Sequence, residues 1–115
     1  MSPRSAGAAR LARAGPLFSA LGDETRLAVV ARLSAGGPQS TTRLTAGSTV
    51  TRQAVTKHLE VLAGAGLVRG VRRGRERIWE LDPKRLDDAR RWLDQVSRRW
   101  DEALDRLKSF VERDA

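Results

Sequence analysis

Residues 51–81 read TRQAVTKHLEVLAGAGLVRGVRRGRERIWEL. The first half predicts an amphipathic helix, because Val55, Leu59 and Leu62 recur at a 4-then-3 spacing and therefore line one face. Thr51 is a good N-cap, and Val50 and Val55 occupy the two positions of a hydrophobic staple across it. Gly64 and Gly66 close the helix. Its outward face then carries Arg52, Gln53, Thr56, Lys57 and Glu60 behind the capping Thr51, with His58 beside the buried Leu59. The second half predicts a β-hairpin. Residues 67–72 and 76–81 are strand candidates, and Arg73, Gly74 and Arg75 form the turn between them. Trp79 and Leu81 are two apart, so both face the core side. Arg69, Arg72, Arg73, Arg75 and Arg77 concentrate positive charge on this hairpin. A helix able to enter a major groove, followed by a basic hairpin able to grip the backbone, suits double-stranded DNA.

Upstream, residues 1–15 read as a flexible basic arm, or one only partly helical around Ala8–Ala14, carrying Arg4, Arg10 and Arg13, with no acidic residue before Asp23. Residues 16–21 predict a short helix with Leu17, Phe18 and Leu21 inward. Asp23 caps the next helix, whose buried face is expected from Leu27, Val30, Ala31 and Leu33, and Gly36, Gly37 and Pro38 end it. Ser40 or Thr41 caps a further short helix reaching Ala46, in which Leu44 is the only large apolar residue. Gly47, Ser48 and Thr49 then make a turn.

Downstream, Asp82-Pro83 is a cap-and-first-turn pair that opens a helix running to about Glu112. Leu86, Ala89, Leu93, Val96, Trp100, Ala103, Leu107 and Phe110 follow alternating steps of three and four, a heptad pattern widened by Trp92, Leu104 and Val111. A helix this long is more than a 115-residue monomer can cover. Pairing with a second copy in a homodimer is the expected solution; packing on its own domain alone is the alternative. The expected dimer-interface residues are Leu17, Phe18, Trp92, Leu93, Val96, Trp100, Leu104 and Leu107. The order helix, helix, helix, helix, hairpin, helix is mainly α with a small β-hairpin: a winged helix-turn-helix with N- and C-terminal dimerisation helices. The expected divisions are a basic arm over 1–15, the DNA-binding domain over 16–82 and the dimerisation helix over 83–115.

Composition bounds the function. The chain has 115 residues and a formal net charge of +8 at pH 7, which favours a polyanionic partner. Nearly all the cations are Arg, able to bind phosphate or guanine through two parallel hydrogen bonds, although a GC-rich genome gives the same bias. From Lys84 to Asp114 acids and bases nearly cancel, so the excess charge sits in the arm, recognition helix and wing. With no Cys and a single His, neither a disulfide framework nor a metal site is expected. No Cys nucleophile and no Gly-rich phosphate loop is present, and the paired carboxylates Asp87-Asp88 and Asp101-Glu102 lie on a charge-balanced helix. An enzyme is therefore not expected, nor is a cofactor. No apolar run approaches the roughly 20 residues of a membrane span, and the N-terminus lacks the apolar core of a secretory signal. The expectation is a cytoplasmic protein without a membrane partner.

Taken together, these segments resemble the ArsR-type family of bacterial winged-helix repressors. Leu21-Gly22-Asp23-Glu24-Thr25-Arg26-Leu27 resembles its opening helix, Thr51 through Leu62 its recognition helix, and Ala65-Gly66-Leu67-Val68 with Arg73-Gly74-Arg75-Glu76 and Trp79-Glu80-Leu81 its wing. The C-terminal stretch from Trp92 to Glu102 resembles a cysteine-free branch with a long, Trp-containing last helix. The resemblance covers residues 17–82 in order and implies a sequence-specific homodimeric repressor. Two departures stand out. Thr45 and Ser48 replace apolar residues of the family's third helix, which predicts a short or loosely packed element there. The metal-sensing ligands of the family are missing, so control would fall to a small molecule, a partner protein or concentration.

Each reading has a plainer rival. The face of the recognition helix is also what a solvated helix looks like, and the arginine hairpin is also what a protected sheet edge looks like. His58 suits either a phosphate contact or a packing role. A protein-docking module using the Trp-rich helix, or a non-specific DNA-coating protein, remains the alternative function.

Overall fold

Local signals fix most of the element boundaries. The computed structural model describes residues 12 and 14–113; of the expected basic arm over 1–15, Arg4, Arg10 and Arg13 lie outside the described residues, whereas residues 12, 14 and 15 are helical and Ala14 is buried, so the first helix begins before the expected residue 16. Helix α1 spans residues 14–21 and buries Ala14, Leu17 and Ala20. Helix α2 is Glu24–Gly36; the Asp23 carboxylate accepts from the Arg26 N–H at 3.0 Å as its N-cap. Strand β1 is Gln39–Ser40, and Ser40 caps helix α3, Thr41–Ala46, by accepting from the Arg43 N–H. Helix α4 is Arg52–Gly64, capped by the Thr51 hydroxyl on the Ala54 N–H.

The C-terminus of α4 is a Schellman motif. Gly66 N–H donates to the Ala63 carbonyl and Leu67 N–H to the Leu62 carbonyl, with Gly66 at φ 79°. Leu62 and Leu67 are both fully buried, supplying the apolar contact that accompanies the motif. Strands β2, Val68–Arg73, and β3, Glu76–Leu81, pair antiparallel from Val68–Leu81 out to Arg73–Glu76. Helix α5, Pro83–Arg113, starts where Asp82 turns its carboxylate to the Lys84 N–H.

Three expectations need correction. The wing turn holds two residues, Gly74 and Arg75, because Arg73 still pairs with Glu76; Gly74 takes the positive φ of 61° that the first position of such a turn asks for. The hairpin is joined by a third strand, β1, which pairs with β3 through Gln39–Trp79 and Ser40–Ile78 to give the order β1-β3-β2. The phase of α2 is rotated. Val29 and Leu33 face the core, whereas Leu27 is 51% exposed and Ala31 is also on the surface. The physical reason is Arg26, which turns inward to donate to the Ala20 carbonyl and so occupies the place an apolar stripe would have filled.

The core unites Leu17, Val29, Leu33, Leu44, Val55, Leu59, Leu62, Leu67, Val68 and Trp79, with Ala89 from the start of α5. Trp79 from the wing sits at its base, and α3 and α4 stack beside it as the helix-turn-helix pair. Although α3 has only six residues, it is held from outside. Arg32 of α2 donates to the Leu44 carbonyl at 2.7 Å and the Arg43 carbonyl at 3.0 Å, satisfying the open C-terminal end of α3. Thr45 turns its hydroxyl back to the Thr41 carbonyl. Among the described residues no helix is long and apolar enough to cross a membrane.

Candidate nucleic-acid interface

Helix α4 divides cleanly. Val55, Leu59 and Leu62 are fully buried, while Thr51, Arg52, Gln53, Lys57 and Glu60 are exposed. The N-cap matters beyond stability, because it brings Arg52 and Gln53 to the exposed first turn, the end that enters a groove in a helix-turn-helix. Arg52 donates to the Thr42 hydroxyl at 3.0 Å, which ties this turn to the start of α3. Thr42 and Arg43 are themselves exposed there, on a six-residue helix whose sequence carries too little periodicity to define a face. Thr56 is half-buried and donates its hydroxyl to the Arg52 carbonyl.

His58 does not share the outward face. It is half-buried, with Nδ1 3.3 Å from Arg26 Nη1 and 3.8 Å from Asp23 Oδ1. Asp23 titrates below the usual carboxylate range, chiefly because its carboxylate accepts the Arg26 N–H and secondarily through the neighbouring positive charge.

On the wing, Arg72, Arg73, Arg75 and Arg77 are all exposed, but they differ in what holds them. Arg77 lies over the indole of Trp79, its guanidinium carbon 4.5 Å from the ring centroid. It crosses Gly70, where an added Cβ would meet the Arg77 Nε at 2.6 Å. Arg69 donates to Glu80 at 2.7 Å. Arg75 stands at the turn, and Arg73 immediately precedes it. Besides the shared core, a buried hydrogen bond joins the wing to the helix-turn-helix: Trp79 donates its indole N–H to the Thr41 hydroxyl at 2.9 Å.

The expected dimer residues fall into three groups. Leu17 is 1% exposed within the chain's own core, so its side chain offers no surface to a second chain in this conformation. Phe18 packs against Trp92 in a tilted arrangement, ring centroids 5.2 Å apart and planes inclined at 55°, and both are half-buried, as is Val96. Leu93, Trp100, Leu104 and Leu107 are exposed, continuing into Phe110 and Val111.

A capped recognition helix set on a short scaffold helix and followed by a three-stranded basic wing defines a winged helix-turn-helix DNA-binding domain. Comparison with known proteins agrees. The helix-turn-helix domain family matches residues 21–71. The chain is 38% identical over 95 residues to the HTH-type transcriptional regulator Rv2034 of Mycobacterium tuberculosis, covering 83% of this chain and 85% of that protein. It is similar in structure to an ArsR-like transcriptional regulator from Rhodococcus sp. RHA1, with a TM-score of 0.72, 34% identity, and 86% and 92% of the two chains covered. The fold is shared with a homodimeric winged helix-turn-helix DNA-binding domain, Mb0332 of Mycobacterium bovis, at 22% identity and a TM-score of 0.58 over 89% and 88% of the chains. The chain belongs to the ArsR-like family of helix-turn-helix transcriptional regulators.

Proposed function

We propose that this regulator is a homodimeric cytoplasmic repressor that binds an inverted repeat in promoter DNA. The observation that carries the reading is the division of α4: three residues that can bond base edges or phosphates, Arg52, Gln53 and Lys57, stand exposed on a helix whose opposite face is sealed in the core. Arg52 suits guanine and Gln53 adenine through paired hydrogen bonds. Thr56, with its hydroxyl committed to the Arg52 carbonyl, suits a thymine methyl. Arg72, Arg73 and Arg75 of the wing hold flanking phosphates, while Arg77, stacked on Trp79, adds charge nearby. In a two-fold dimer the recognition helices enter successive major grooves about 34 Å apart. The exposed stripe of α5 supports the dimer, as does the homodimeric state of the Mycobacterium bovis domain that shares this fold. A small molecule or partner protein acting on the dimer would release the operator.

The same exposed stripe also suits docking to a different protein, and one experiment separates the readings. Fluorescence anisotropy compares DNA from upstream of the protein's own gene with a shuffled duplex at two salt concentrations. A preference above about a hundredfold at the higher salt is expected, since specific sites exceed non-specific ones by about 10³ or more. Arg52→Ala and Gln53→Ala relax that preference; Arg73→Ala and Arg75→Ala weaken both duplexes alike and flatten the salt dependence. Equal binding that disappears with salt, from a monomer, would favour the docking module.

A further inference from the structure

Three elements meet at one side chain. Arg26 sits in the first turn of α2 and points inward. Its Nε donates to the Ala20 carbonyl of α1, and its Nη1 lies 3.3 Å from His58 Nδ1 on α4. Asp23 Oδ1 completes the cluster, 3.8 Å from the same His58 nitrogen and 3.0 Å from the Arg26 backbone nitrogen. Arginine has only donors, so as a hydrogen bond this contact uses the lone pair of His58 Nδ1. His58 is one residue from buried Leu59, and its side chain is 21% exposed.

We propose that Arg26 and His58 are positioning residues for DNA reading: their contact ties α4 to the α1–α2 corner and sets the angle at which Arg52 and Gln53 meet base edges. The inference rests on α4 being the recognition helix. Phosphate contacts tolerate a small tilt of α4, because long Arg and Lys side chains follow the backbone. Paired hydrogen bonds to a base edge do not, because both must be aligned at once. Loss of the Arg26–His58 contact therefore lowers binding to the preferred sequence and leaves binding to other DNA alone. A phosphate-contacting His58 would instead weaken every duplex equally.

The two ring nitrogens provide the test. Asn at position 58 places its amide oxygen near the Nδ1 position, where it accepts from Arg26; Gln places its amide nitrogen near Nε2, where it can donate outward. The full-length protein is titrated by anisotropy into a duplex enriched from a random library by the wild type, and into the shuffled version of that duplex. His58→Ala and Arg26→Gln each lower affinity for the enriched duplex by about tenfold, the scale of one hydrogen bond to a charged group. Both leave the shuffled duplex unchanged, and the double variant is no weaker than either single one. His58→Asn restores the preference and His58→Gln does not. Rescue by Gln rather than Asn, or equal losses on both duplexes, overturns the proposal. A wild type that enriches no sequence at all overturns the DNA-reading assignment itself, and the positioning role with it.

Discussion

Thr41 connects the wing to the helix-turn-helix through a single hydroxyl, which accepts from Trp79 and lies 3.5 Å from the Arg77 carbonyl. Trp79 is 1% exposed, so nothing from solvent replaces that acceptor. Thr41→Val leaves the indole N–H unsatisfied and lowers unfolding free energy by about 1–3 kcal/mol in urea titrations; Thr41→Ser, which keeps the hydroxyl, loses less. A second pairing lies at the end of α3. A Cβ at Gly47 would strike the Arg32 guanidinium that closes this helix, so Gly47→Ala and Arg32→Ala remove the same two hydrogen bonds. Each destabilises by about 1.5–3 kcal/mol, and the double variant loses little more than either, whereas additive losses would show that Arg32 simply moves aside. Asp23 makes an acid-sensitive cap. Its folded-state pKa is depressed by the hydrogen bond from Arg26 N–H, so its contribution is present above the unfolded aspartate value and disappears as pH falls through the folded one. The stability advantage of wild type over Asp23→Asn, measured by urea midpoints, therefore shrinks across that acidic window and is constant above it.

At the scale of elements, legibility followed the length of the repeating signal. Helix α4 was readable in full: the Thr51 cap, the Val50–Val55 staple and the buried triad Val55, Leu59 and Leu62 are local features whose physics does not depend on the rest of the molecule. Strand β1 was not readable, because two residues have no period and Gln39–Ser40 become a strand only by pairing with β3. Apolar periodicity misplaces the phase of α2 because it cannot anticipate an arginine turned inward by a carbonyl 6 residues earlier and a histidine 32 residues later. The same limit hid the division of the site: Arg77 and His58 are basic residues in a basic segment, and only the fold shows one on Trp79 and the other on Arg26. The junction of α4 and β2 offers a check on the element itself. Gly66 adopts φ 79°, and a Cβ there would also stand 2.8 Å from Arg85 Cγ. Gly66→Ala is expected to destabilise the domain by about 1–3 kcal/mol; an unchanged urea midpoint would mean that the Schellman end of α4 is not needed to place the wing.

The molecule as a whole is elongated for its size, with a radius of gyration of 19.1 Å, against about 13 Å for a compact chain of this length. Helix α5 is the cause. At about 1.5 Å per residue its 31 residues reach about 46 Å, and only its N-terminal part packs on the rest of the domain, through Leu86, Ala89 and the Trp92–Phe18 contact. Beyond them Trp100 is 66% and Leu107 58% exposed, with Leu104, Phe110 and Val111 equally uncovered. A contiguous apolar stripe of this kind marks an interaction surface. Its separation from the core makes the proposed homodimer unusually easy to test. The double variant Leu104→Glu and Leu107→Glu touches no core side chain, so the domain should melt as before while the stripe loses its complementarity. Light scattering should then show a dimer for the wild type and a monomer for the variant at micromolar concentration. DNA binding should follow: one half-site contributes about half the phosphate contacts, so the slope of log affinity against log salt should fall to about half. A variant that stays dimeric would place the interface elsewhere. A monomeric wild type with full sequence preference would separate DNA reading from self-association and leave the stripe of α5 for another partner.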